Sequence, residues 1–100
     1  MTSLVNMITV APGRPFRAEQ EWAVFMSRRG TSARGDGWVE RHRDGFHTYA
    51  RRRGVSGHER AVGTSPTLEG AAEQIAQHLY PQVGAWQILM LTDDGAAPRV

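Results

Sequence analysis

The chain contains no cysteine, no lysine and no long apolar run. The lack of cysteine removes disulfides, thiolate zinc sites and thiol catalysis together, and it agrees with a reducing compartment. No stretch approaches the roughly 20 apolar residues needed to span a bilayer. The opening segment, Met1 to Val10, is mildly apolar, but it carries no basic run and is interrupted by Asn6 and Thr9. It does not read as a signal peptide. These absences lead to the expectation of a cytoplasmic protein with no membrane partner.

All twelve basic residues are arginine. Arginine codons are GC-rich and lysine codons AT-rich, so the bias points first to a GC-rich genome, such as that of an actinobacterium or its phage. It has a functional reading too, because arginine is favoured in phosphate and base recognition. The charge is unevenly placed. Arg28 to Arg60 holds nine arginines against four acids, a local +5, while the remainder carries −3. Such a zone steers polyanions; arginines at a strand edge also simply oppose aggregation.

With 100 residues, 40% of them hydrophobic and 22% charged, the chain fits one ordinary globular domain spanning 1–100. Leu4 to Val10 reads as a first strand, broken by the Ala11 to Pro15 segment. Glu21 to Arg28 reads as a second, and Gly30 to Gly37 as a loop. Asp44-Gly45 between two β-prone runs signals a hairpin with a type I′ turn, which pairs His42 with His47 and Trp38 with Arg51. A second turn at Gly54 to Gly57 pairs Arg52 with Glu59, and an antiparallel meander results. Alternation then puts Val39, Phe46, Ala50 and Ala61 on one face, with Arg41, Arg43 and Arg52 toward its ends. The other face holds Trp38, Glu40, His42, His47, Tyr49, Arg51, Arg60 and Val62.

Leu68, Ala71, Ala72, Ile75, Ala76 and Leu79 recur at helical spacing and predict one helix over about 67–80, which packs on the small apolar face. Thr67 is an N-cap candidate, Glu69 suits the first turn, and Pro81 ends the run. The apolar run from Trp86 to Leu91 reads as a last strand, central or well covered. A loose tail over about 93–100 follows. The expected fold class is therefore α+β, an antiparallel meander extended by N- and C-terminal strands, with one packed helix.

The chemistry-bearing candidates are Trp38, Arg41, Arg43, His47, Tyr49, Arg51, Arg52, Arg53 and Arg60. Aromatic rings stack on bases, and arginines neutralise phosphates and read guanine edges. The same aromatics serve equally well as core residues beneath neighbouring strands. His42 opposite His47, with Glu40 nearby, has the makings of an acid–base pair for metal-free RNA cleavage. No third ligand accompanies them, so no metal site is assigned. No Walker loop, dinucleotide fingerprint or nucleophile elbow is present, so no cofactor and no catalytic residue is assigned either.

The strands GWVERHRDG, FHTYARRRG and HERAVGT, followed by the helix TLEGAAEQIA, resemble the three-stranded DNA-binding domains of the AP2 type and the arm-site-binding domains of tyrosine recombinases. The resemblance covers about residues 37–80 and lies in architecture and charge. It implies a sheet whose outer face enters the major groove while the helix covers the other face. Carried over, Arg51 and Arg60 would face DNA, and Arg41 and Arg43 would fall on the helix side. The expectation is a small basic nucleic-acid-binding accessory or regulatory protein, with DNA favoured over RNA as the partner. The alternatives are a protein-interaction module, acting as a modulator of a host protein or as an edge-paired homodimer, and a metal-independent ribonuclease.

Overall fold

Alternating apolar and polar side chains form strands on both sides of a single amphipathic stretch that forms the helix. The computed structural model describes residues 5–13, 18–28, 34–51 and 59–91. Their elements are β1 (Met7–Pro12), β2 (Glu21–Ser27), β3 (Arg34–His42), β4 (Gly45–Arg51), β5 (Glu59–Ser65), α1 (Leu68–Leu79) and β6 (Gln87–Met90). The architecture is α+β, as the sequence pattern implies. The six strands lie in one sheet, in the order β5-β4-β3-β2-β1-β6. β1 to β5 form an antiparallel meander, and β6 returns to pair with β1 in parallel.

One core lies between the sheet and α1. Ile8 and Val10 of β1, Val24 and Met26 of β2, Val39 of β3 and Ala50 of β4 face Ala71, Ala72, Ile75 and Ala76 of the helix. Tyr80, Val83 and Trp86 in the connection after the helix pack against the same cluster. The small helix side chains let the backbone come close. At Gly37, a Cβ would sit 2.6 Å from the Tyr49 carbonyl oxygen and 3.0 Å from Ile75 Cγ2, so only glycine fits beneath the helix.

Both helix ends follow sequence signals. Thr67 caps the start, its hydroxyl accepting from the Gly70 N–H at 3.0 Å. At the far end the Tyr80 N–H closes the last turn on the Ala76 carbonyl, and Pro81 follows. Of the buried polar side chains in this layer, the Trp86 indole N–H has no hydrogen-bond partner, whereas Thr48 and Tyr80 are paired. Thr48 donates to the Gly63 carbonyl at 3.0 Å, and the Tyr80 hydroxyl donates to Asp36 at 3.1 Å.

Four expectations are corrected. The hairpin register is His42 to Gly45 and Trp38 to Tyr49, not His42 to His47 and Trp38 to Arg51. Arg43 and Asp44 form the turn with negative φ, and Gly45 takes the positive one (φ 134°). With no positive φ at either central residue, the turn is not type I′. In β5 an extra residue, Val62, shifts the pairing between Thr48–Gly63 and Tyr49–Ala61. A one-residue slip reverses faces. Arg60 therefore pairs with Ala50 on the helix side, Ala61 with Tyr49 on the other, and Arg51 rather than Arg52 takes the register position opposite Glu59.

Residues 34–37, expected within a loop, belong to β3. The Phe25 ring over Gly35 and the helix over Gly37 fill the space their missing side chains leave. Finally, the run ending at Leu91 is not central. β6 is an edge strand, with Leu89 46% exposed. The turn expected at Gly54 to Gly57 and the tail at 93–100 lie outside the described residues. No described helix is long and apolar enough to cross a membrane.

Candidate nucleic-acid interface

The helix covers one side of the sheet, and among the described residues no helix or second sheet lies on the other. The registers place one row of side chains straight across this helix-free side: Ala11, Ala23, Trp38, Tyr49 and Ala61, from β1 to β5. Trp38 and Tyr49 are direct cross-strand neighbours. Their rings stack with centroids 5.0 Å apart and planes 11° from parallel, both half-buried. Two tall aromatics thus stand between alanines, because strand alternation and the β5 bulge together bring these five residues to one face.

The next row toward the β3–β4 turn is Glu21, Glu40, His47 and Thr64. Glu40 is only 2% exposed although it lies on the helix-free side. Its carboxylate accepts from Trp38 Nε1 at 3.1 Å and meets His42 Nε2 at 2.9 Å. The His42 and His47 rings are 4.2 Å apart, and His47 Nε2 meets Asp44 Oδ1 at 2.7 Å. The hydrogen bond from His47 is the main reason the Asp44 carboxyl is held below its ordinary value. Glu21 accepts from the Ala18 N–H at 3.1 Å.

This chain of rings and carboxylates fixes the orientation of Trp38. The Nε2 atom of each histidine is held by a carboxylate. Among the described residues no group of three or more histidines and carboxylates is placed to hold a metal.

The arginine candidates divide. Arg51 ends β4 on the Trp38–Tyr49 side and is exposed, and Arg43 is exposed in the turn. Arg41 lies on the helix side, its guanidinium 5.7 Å from the Phe46 ring centre and bonded to Gln20 at 3.4 Å. Arg60 is exposed in register with Ala50. Arg52, Arg53 and His58 lie outside the described residues. The structure therefore brings Trp38, His47, Tyr49 and Arg51 together and separates Arg41 and Arg60 from them. Sequence reasoning passed over Ala11 and Ala23, the floor beside Trp38. The signal was the small alternate residue in EWAVFMS, legible only once β2 is paired with β3.

No family model matches the chain, and neither a curated protein nor a solved structure does.

Proposed function

We propose that this chain is a small DNA-binding accessory or regulatory protein that contacts nucleic acid through the helix-free side of its sheet. The observation that carries the reading is the stacked Trp38–Tyr49 pair, half-buried on a side that no described element covers. Arg51 on that side and Arg43 in the adjoining turn supply positive charge, within a segment of net +5. The separation of Arg41 and Arg60 from the aromatic pair favours contact through rings over groove entry by a uniformly basic sheet. On this reading the AP2-like layout reflects a shared division of labour, with the helix behind and the ligand in front. The protein acts in the cytoplasm of a GC-rich bacterium or of a cell infected by its phage.

Anisotropy titrations of labelled single-stranded and duplex DNA at low and moderate salt test the proposal. Binding that weakens steeply with salt is expected. No binding to either at low salt refutes it.

A second reading has its own observation. The edge strand β6 and the segments flanking the β1–β6 pair expose Val5 (37%), Leu89 (46%) and Leu91 (40%). An exposed apolar edge invites pairing with a second copy. Sedimentation equilibrium decides it, since a monomer at high micromolar concentration rules out the edge-paired homodimer.

A further inference from the structure

Resting on the nucleic-acid reading, we infer that the ligand is single-stranded, and that one unstacked base sits against the outward face of Trp38, on the floor made by Ala23 and Ala11. The geometry is asymmetric. Near-parallel rings 5.0 Å apart face one another, so the second face of Trp38 turns away from Tyr49, toward β2. There the cross-strand neighbour is Ala23, and the next is Ala11. Two consecutive strands therefore offer only methyl groups beside the indole, a floor about 10 Å wide at ordinary strand spacing.

The floor is bounded along β2. Alternation puts Phe25 on the same side toward the end of the strand, its ring over Gly35, and Glu21 toward the start. The indole is fixed in place, because Glu40 in the next row accepts its N–H. The result is a fixed aromatic wall beside a shallow, half-exposed apolar floor, matched to a planar heterocycle that presents one face to the ring and one edge to the floor.

Such a base has given up its stacking neighbour on the side that Trp38 takes. In a duplex, consecutive bases are about 3.4 Å apart and both faces are occupied. A base reaches this wall only from a strand whose stack is already open. Arg51 lies on the same side of the sheet, next but one to Tyr49 along β4, where it meets the backbone phosphate that such a strand carries. An aromatic wall with one nearby cation is the arrangement of a sequence-tolerant single-strand binder.

The test is an anisotropy titration at low salt with a labelled mixed-sequence strand of about a dozen nucleotides. Its comparators are the blunt duplex of the same sequence and an abasic strand of the same length. The wild-type protein is expected to bind the single strand about tenfold more tightly than either comparator. Ala23→Leu, which fills the floor, is expected to lose about tenfold on the single strand and nothing on the abasic one. Trp38→Leu removes the wall and gives the same loss, so the result does not depend on one variant folding. Ala61→Leu, an equal enlargement on the far side of Tyr49, is expected to stay within about twofold.

An abasic strand bound as tightly as the normal one overturns the inference. So does a folded Ala23→Leu protein that binds the single strand like wild type, or an equal loss from Ala61→Leu. Nucleic-acid binding that survives in those cases leaves the proposed function standing and removes only the base site. Failure to bind any of the three ligands removes both.

Discussion

Glu40 is the least expected side chain in the protein, a carboxylate 2% exposed on the side of the sheet without a helix. A buried polar group is tolerated only when its hydrogen bonds are made, and here the Trp38 indole and the His42 ring make them. Two effects oppose each other on its removal. Alanine relieves the carboxylate of its desolvation but leaves the indole N–H and the imidazole without their acceptor. Each lost partner costs about 1–3 kcal/mol, so Glu40→Ala is expected to destabilise by about that amount. Glu40→Gln keeps an acceptor for Trp38 and a donor for the other imidazole tautomer, so it should cost less than about 1 kcal/mol. Urea denaturation of the two variants separates the terms; equal stability of Glu40→Ala and wild type would mean that they cancel.

Asp44 gives a pH-dependent counterpart at the turn. Its pKa is lowered chiefly by the hydrogen bond from His47. A group with a depressed folded-state pKa contributes stability that is present above its unfolded value and disappears as pH falls through the folded one. The stability difference between wild type and Asp44→Asn should therefore be present above the ordinary carboxylate range and shrink below it. Thermal midpoints measured across that acid range check the sign: a difference that grows on acidification contradicts it.

At the scale of elements, the faces were legible even where the turn was not. Moving the loop from Asp44-Gly45 to Arg43-Asp44 slides the β3–β4 pairing by two residues, and a shift of two returns every side chain to the same face. Trp38, His47 and Tyr49 thus lie together, as strand alternation alone implies. The β5 bulge is a different case. One unpaired residue moves Arg60 and Ala61 to opposite sides, and nothing in HERAVGT marks Val62 as the extra residue. The helix was legible from its caps and its alanine stripe, but its closeness to the sheet was not, because that closeness depends on Gly37 in a segment that reads as a loop. Gly37→Ala forces its new methyl group against the Tyr49 carbonyl and Ile75. Overpacking of this kind costs about 1–3 kcal/mol. A lower urea midpoint with an unchanged slope is the expected outcome, and an unchanged midpoint would show that α1 shifts freely.

For the whole molecule, what mattered was which residues converge, and a run of like charges in sequence does not settle that. α1 carries the chain from β5 at one edge of the sheet to β6 at the other, and β6 then closes on β1. Local apolar character does not report this passage, so WQILML, which reads as a central strand, becomes an edge. The described arginines scatter for a similar reason. Alternation divides neighbours in a strand between faces, and the bulge exchanges Arg60 for Ala61. Among the described residues, the arginines of the central segment therefore do not form one patch. A single-stranded ligand on the Trp38–Tyr49 side meets Arg51, and Arg43 in the turn, but not Arg41, which lies against Phe46 and Gln20 on the other side. Each phosphate neutralised on a single strand contributes about −0.7 to the slope of log K against log salt. Arg51→Ala should make that slope shallower by about 0.7, whereas Arg41→Ala and Arg60→Ala should leave it unchanged. Equal changes from all three would mean that the ligand reads net charge alone and that the aromatic side of the sheet has no privileged role in binding.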